Sequence, residues 1–472
     1  MITRFACSGF KTFDQFSVDL YPFTLIVGPN ASGKSNLFDA IQLLSHLATN
    51  DLRTALQQSR GQPLDLFRIV DETGKRADRM RFDVDVLLEP TVRDPWGGEK
   101  ELKHTRIRYS VTLALRQDDH GNERVLVVEE HASPIRATTD RWTKTVMGDA
   151  ARPIRNLFRY HHRDSAFLTS SKPDEGPLVF RIHQDGQPGR KREVVAAEAT
   201  VLSTMTSADF PHLFALREEM KRWRLLHLDA LALRKTSPFL SVDELQPDGS
   251  NLAATLYRIA SETRSETRPK GVLPDIVRDV ARCVPEVLDL GVEKVDAARE
   301  YRVALALRGG VIPAAVASDG TLRVLALCTL LQDPRHRGVL CFEEPENGVH
   351  PGRLRALIGM LWERVTDFAD LDDAPLTQLL INSHSPVVLS TAMNLLQGTP
   401  GHLGVGRSGV HIVFADLVDV LDGATGTRSR KSRIRRVVAG DQGRIIDEGK
   451  EDEGKVSHVE VERFLKSAQG TA

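Results

Sequence analysis

The segment Gly28-Pro29-Asn30-Ala31-Ser32-Gly33-Lys34-Ser35 constrains this chain more than any other stretch. It follows Phe23-Thr24-Leu25-Ile26-Val27, a nearly continuous apolar run of the kind a strand buried on both faces requires. After it, Leu37, Ala40, Ile41, Leu44 and Leu47 recur at helical spacing, which predicts a helix from about Gly33. Strand, glycine-rich turn and helix in that order match the phosphate-loop pattern at every required position. The chemistry needs this arrangement. Glycines let the backbone wrap phosphate oxygens with successive N–H groups pointing inward, and the helix N-terminus adds partial positive charge. The expected nucleotide-binding residues are therefore Gly28, Pro29, Asn30, Ala31, Ser32, Gly33, Lys34, Ser35 and Asn36. Lys34 is expected to reach the β- and γ-phosphates, and the Ser35 hydroxyl to coordinate Mg2+. The competing reading is a chance glycine-rich turn, which the agreement of motif and context disfavours.

A second apolar run, Val339-Leu340-Cys341-Phe342, ends in Glu343-Glu344-Pro345-Glu346. A parallel strand that stops in carboxylates places them where such folds bind ligands. Glu343 is expected in the water shell of Mg2+ and Glu344 to polarise the attacking water, because one acid must hold a hard cation and the other orient a nucleophile. Taken alone, the cluster reads equally well as a solvated acidic loop.

The rest of the chain divides by pattern. Ile2–Ser8 and residues 16–20 alternate as strands. Residues 80–88, 105–115, 124–130 and 178–183 read as an antiparallel sheet, and 207–226, 250–262 and 273–288 as helices. From 301 strands and helices alternate: strands 301–307, 338–342, 378–382 and 409–414, with helices 321–331, 352–368 and 386–396 between them. Beyond 424 the chain is charged and glycine-rich, with a mobile segment expected near 440–455. The expected divisions are 1–60 (first part of the core, with the phosphate loop), 61–206 (β-rich lobe), 207–299 (helical subdomain), 300–415 (second part of the core) and 416–472 (C-terminal strand and tail).

Composition excludes several classes. Lys plus Arg number 63 and Asp plus Glu 64, a net charge of −1 over 472 residues, so neither a basic nucleic-acid coat nor an acidic disordered chain is described. Cys7, Cys283, Cys328 and Cys341 have no close-pair spacing, which excludes a zinc ribbon and fits a reducing cytoplasm. No apolar run reaches the ~18 residues of a membrane span, and no leader is expected at the N-terminus. The expected location is cytoplasmic, with no membrane partner.

Five further stretches carry a resemblance. They are Phe10-Lys11-Thr12-Phe13, residues 245–252, Ala317-Ser318-Asp319-Gly320-Thr321-Leu322-Arg323, Glu344-Pro345-Glu346-Asn347-Gly348-Val349-His350-Pro351 and Asn382-Ser383-His384-Ser385-Pro386. In this order they resemble the ABC-type AAA ATPases related to RecF and SMC proteins, most of all the OLD-like branch. The resemblance covers residues 1 to about 50 and about 225 to 415. It implies an α/β P-loop NTPase: an ABC-type split head with a mixed sheet, an antiparallel β lobe and a helical insertion. It implies ATP and Mg2+ as cofactors, with Lys34, Glu344 and His384 catalytic and Ser35 and Glu343 at the metal. It also implies that Ser318, Asp319 and Gly320 close on the nucleotide of a second copy in a head-to-tail homodimer. Two features depart from the pattern: Glu343 stands where the family most often has Asp, and no glutamine of the usual loop is evident.

Relatives of the SMC type carry coiled-coil arms and OLD nucleases a TOPRIM domain; neither pattern is present. A stand-alone ATPase is expected to act with a separate effector such as a nuclease, in DNA repair or antiphage defence. A nucleotide-sensing scaffold and a transporter ATPase subunit are the alternatives. DNA contact would rest on local basic stretches: Arg152, Arg155, Arg159, Arg163 and Gly189-Arg190-Lys191-Arg192, all read as loops. The run 428–436 reads equally as a basic patch or a charged edge strand.

Overall fold

The computed structural model describes residues 1–118, 120–147, 156–161, 165–171, 177–184, 187–368, 375–397, 410–421, 428–438 and 455–469. Its centre is a seven-stranded mixed sheet. Five strands run parallel in the order Arg224–Leu226, Gly338–Glu343, Thr377–Ser383, Phe23–Val27 and His411–Leu421. Arg428–Val438 then pairs antiparallel, and Lys455–Ser457 closes the edge.

Alternation along these buried strands sends side chains into two separate cores. Ile26, Val339, Cys341, Leu380 and Val413 pack with Leu37, Ile41 and Leu44 of the helix Lys34–Leu47. Leu25, Leu340, Phe342, Ile381 and Ile412 pack instead with residues of the helices Asp319–Leu331, Pro351–Trp362 and Pro386–Gln397. Both faces are covered, which is why these strands are continuous apolar runs. All four cysteines are buried free thiols.

An eight-stranded antiparallel sheet forms the β lobe, ordered Gln187–Val194, Leu178–Gln184, Leu168–Ser171, Glu123–Pro134, Arg106–Gln117, Arg79–Leu87, Ile2–Ser8 and Phe16–Asp19. Gln378, 1% exposed, ties it to the central sheet. Its side chain accepts from the Ile2 N–H at 2.8 Å and donates to the Ile2 and Tyr21 carbonyls at 2.7 and 3.0 Å. A smaller antiparallel sheet joins Ser237–Pro238, Glu300–Leu307 and Val287–Val295, with Gly310–Pro313 on the middle strand.

Several local expectations change. The helix expected over 207–226 is Pro211–Lys221, and Arg224–Leu226 is a strand beside the acid strand. The helix expected to 288 ends at Cys283, and a strand starts at Val287. The strand at 301–307 exists but belongs to the small antiparallel sheet, because alternation reveals a strand without revealing its partner. The helix expected to 368 ends at Trp362; Thr366 there turns to pair with Thr377 through its N–H, at 3.0 Å from the Thr377 carbonyl.

One of the basic stretches expected as a loop is a strand, while Arg159 lies in irregular chain as expected. Gly189, Arg190, Lys191 and Arg192 lie on the edge strand Gln187–Val194. Arg190 sits 5.5 Å over the Phe210 ring, and Lys191 pairs with Glu193 at 2.6 Å. The run 428–436 is a strand inside the sheet. Arg430 pairs with Asp419, Arg433 and Arg435 with Asp416, and Lys431 with Asp14, so much of its charge is already matched. Arg159 is held by Glu101 and the Leu102 carbonyl. Arg152, Arg155 and Arg163 lie outside the described residues, as does the segment 440–454. Among the described residues no helix is long and apolar enough to cross a membrane.

Candidate nucleotide site

Register brings the candidate residues to one edge. Val27 pairs with Ser383 on one side and Phe414 on the other, and Glu343 pairs with Asn382. The phosphate loop, the acid strand and the His384 strand therefore all end at the carboxyl edge of the parallel sheet, where open α/β folds bind ligands.

The loop leaves Val27 and enters the helix at Lys34. Gly33 caps that helix with φ of +92°, and a Cβ there would stand 2.1 Å from Ser432 Oγ. At Gly28 a Cβ would stand 2.2 Å from the Ala415 carbonyl. The strands on either side thus leave room only for glycine. Ser432 Oγ lies 2.6 Å from Thr12 Oγ1, which accepts from Asn36 at 2.8 Å, so the C-terminal strand braces the loop from outside. Among the described residues Ser32 Oγ is buried without a hydrogen-bond partner. Phe10 is a core residue packed edge-on against Phe82, and Lys11 pairs with Asp39 at 2.6 Å.

Lys34 Nζ donates to the Gly28 and Pro29 carbonyls at 2.8 and 2.6 Å. Burial lowers its pKa from 10.5 to about 8, against the opposing pull of Glu344, Glu346 and Glu343. This has a measurable consequence. A bound polyphosphate favours the charged amine, so binding above pH 8 takes up a proton. ATP affinity is expected to be flat below about pH 8 and to fall above it, by up to tenfold per pH unit. Calorimetry in buffers of different ionisation enthalpy should show proton uptake at pH 8.5 and little at pH 7; no uptake at pH 8.5 would place the Lys34 charge elsewhere.

On the metal side, Asn382 Nδ2 donates to Glu343 Oε1 at 3.1 Å and lies 3.5 Å from Ser35 Oγ. Burial pushes the Glu343 carboxyl up, but hydrogen bonds from Ser35 and Asn382 and the Arg60 charge outweigh it and hold the carboxyl below its ordinary value. Arg60 Nη2 is 3.2 Å and His227 Nδ1 3.4 Å from Glu343 Oε2. Ser35 and Glu343 supply hard oxygen donors, which suit Mg2+. Among the described residues no group of three or more His, Cys, Asp or Glu forms a cage.

Glu344 has φ of +47°, a left-handed conformation uncommon for a non-glycine residue. Its N–H is fixed by the Asn382 carbonyl and Oδ1, each at 3.1 Å. The carboxylate accepts from Asn347 Nδ2 at 2.7 Å, and His384 Nδ1 lies 3.2 Å from its other oxygen. Ser383 Oγ donates to Glu346 at 2.5 Å, while burial raises the Glu346 pKa.

Ser318 caps the helix Asp319–Leu331 by accepting from the Thr321 N–H at 3.2 Å. Arg234 grips the Asp319 carboxylate and the Ala317 carbonyl. Gly320 packs directly on Gly348 in the turn after the acids. Among the described residues no hydrogen bond or ion pair joins Ser318, Asp319 or Gly320 to the phosphate loop.

Lys34, Ser35, Glu343, Glu344 and His384 are thus brought together, while Ser318–Gly320 packs on the turn after the acids and, among the described residues, makes no hydrogen bond or ion pair to the phosphate loop. Sequence reasoning assigned no role to Asn382, Arg60, His227 or Asn347. Asn382 and Asn347 lay inside the quoted motifs; Arg60 and His227 carry no local signal.

A phosphate loop, two acids and a histidine on one edge of a two-sided sheet form the kind of site an ATP-binding AAA domain carries. Residues 23–246 and 167–390 match the family model described as "AAA domain, putative AbiEii toxin, Type IV TA system", and the chain belongs to that family. No curated protein matches it. Among solved structures, an SMC head bound to the C-winged helix domain of ScpA is 12% identical, with 92% of this chain and 98% of that chain covered and a TM-score of 0.47. The SMC head domain from Thermotoga maritima is also 12% identical, covering 93% and 99%, with a TM-score of 0.36. A Smc head with a coiled coil and joint from Pyrococcus yayanosii is 8% identical, covering 99% of each, with a TM-score of 0.44. The likeness is distant in each case.

Proposed function

We propose that the chain hydrolyses ATP with Mg2+, and that ATP closes two copies head to tail so that nucleotide state controls a separate effector. The observation that supports hydrolysis is the shared edge: Lys34, Ser35, Glu343 and the Glu344–His384 pair meet there. Lys34 and the loop N–H groups hold the β- and γ-phosphates. Ser35 and Glu343, aligned by Asn382, hold the cation. Mg2+, when bound, neutralises charge developing on the phosphate oxygens. Glu344 orients a water and accepts its proton, and His384 keeps that carboxylate facing the γ-phosphate.

Closure of two copies is supported by the placement of Ser318. It opens a 13-residue helix whose N-terminus suits a phosphate, yet it makes no bond to its own loop. A second copy can supply that phosphate. An OLD-like role in DNA repair or antiphage defence, with a partner such as a nuclease, is supported by the motif resemblance and by the family description, which names a toxin–antitoxin system.

Phosphate release tests the enzymatic reading. Wild type is expected to turn over ATP with Mg2+. Lys34→Ala removes a charged contact worth about 1.5–3 kcal/mol, lowering ATP affinity roughly ten- to a hundredfold. Tight ATP binding by wild type without phosphate release would favour the nucleotide-sensing scaffold, a reading the Arg60 contact on Glu343 also supports.

A further inference from the structure

Three polar side chains form one row across the carboxyl edge of the sheet. Leu226 pairs with Phe342 and Glu343 with Asn382, so His227, one residue past its strand, follows that register beside Glu343. The His227 backbone is pinned by its N–H, which donates to the Pro247 carbonyl at 2.9 Å. Its side chain is 72% exposed, with Nδ1 3.4 Å from Glu343 Oε2. On the other side of this carboxylate, Asn382 Nδ2 donates to Oε1 at 3.1 Å and lies 3.5 Å from Ser35 Oγ.

That spacing has a chemical meaning. Two ligands about 2.1 Å from one octahedral cation, on adjacent vertices, stand about 3.0 Å apart. His227 Nδ1 and Glu343 Oε2 are within a small side-chain rotation of that separation. Arg60 shares Glu343 Oε2 at 3.2 Å and lies 3.9 Å from Asp39; its side chain is 51% exposed, and a cation at this oxygen must displace it. Mg2+ accepts an imidazole ligand poorly, whereas Mn2+ or Co2+ accept one well.

We propose that His227 is a ligand of the nucleotide-bound divalent cation, so that this site selects an imidazole-accepting metal such as Mn2+ over Mg2+. The proposal rests on the nucleotide reading above and adds the identity of the metal to it. Glu343, one methylene longer than the aspartate usual in the resembling family, brings its carboxylate out to the His227 imidazole.

The test uses Mn2+ and β,γ-methylene ATP, whose phosphate chain holds no nitrogen, with the full chain. Spin-echo spectroscopy of the bound Mn2+ should show nitrogen modulation beyond that of free Mn2+–nucleotide. His227→Ala should abolish that modulation and should bring a Mn2+ preference of about tenfold over Mg2+ down toward that of the free nucleotide. His227→Ala is not expected to disturb folding, because the side chain is largely exposed; retained metal-free nucleotide binding confirms this. Absent modulation in a wild-type complex, or modulation unchanged in His227→Ala, would overturn the proposal while leaving nucleotide binding intact. Equal loss of Mg2+ and Mn2+ affinity in the variant would also overturn it, leaving His227 as a partner of Glu343 alone. Failure of wild type to bind the nucleotide at all would instead overturn the functional reading beneath it.

Discussion

Glu344→Gln is expected to lose ATP turnover by about 10²- to 10⁴-fold, the span of a general base, while still binding ATP and accumulating as a dimer. The substitution keeps the geometry. The Glu344 N–H still donates to Asn382, and the amide oxygen still accepts from Asn347. The left-handed backbone at +47° is the same for both residues. Proton acceptance and the carboxylate charge are removed, and an amide nitrogen faces His384 Nδ1 in place of Oε1. If closure is driven by ATP and released by hydrolysis, the variant stalls closed. Light scattering with and without ATP, beside phosphate release, reads both effects. A variant that binds ATP yet stays monomeric at saturating nucleotide would remove the two-copy site. One that turns over like wild type would remove Glu344 from the chemistry.

The residues this prediction uses were legible because each sits in a local pattern. The phosphate loop declares itself through Gly28, Gly33, Lys34 and Ser35 between a buried strand and a helix. Glu343 and Glu344 are marked by the apolar run before them, and His384 by its strand end. What stayed hidden depends on pairing between distant segments. Arg224–Leu226 is three residues long, too short to show a period of two, and follows a helix whose pattern ran into it. Only its register against Gly338–Glu343 makes it part of the site, so His227 could not be found without it. Asn382 stood in a quoted motif without a role, because its bonds to Glu343 and the Glu344 N–H cross strands far apart in sequence. Glu300–Leu307 shows the converse: a strand correctly located and placed with the wrong neighbours.

Gly320→Ala is expected to separate nucleotide binding from closure. A Cβ at Gly320 would stand 1.8 Å from the Gly348 carbonyl oxygen and 2.8 Å from its carbon. Carbon atoms pack comfortably at about 3.5–4.0 Å, so the two backbones must part by more than about 1 Å. No side chain can rotate away to relieve this, since both contacts are main chain. The helix that begins at Ser318 and the turn that follows Glu344 must therefore shift apart. A misplacement of about 1 Å at a composite site can cost on the order of 10²-fold in rate. ATP-dependent dimerisation and turnover should fall together by about that factor. ATP affinity of the single chain should change by less than about threefold, because the nearest neighbours of a Gly320 Cβ all belong to Gly348 and none to the phosphate loop. Gly359→Ala is the matched control: it lies in the helix Pro351–Trp362 with nothing within 4 Å of a Cβ, and helix propensity favours the change. Gly359→Ala should dimerise as wild type does. If Gly320→Ala does so as well, the helix at Ser318 does not close on a second copy's nucleotide. If it loses ATP binding in the isolated chain, that helix serves its own phosphate loop instead.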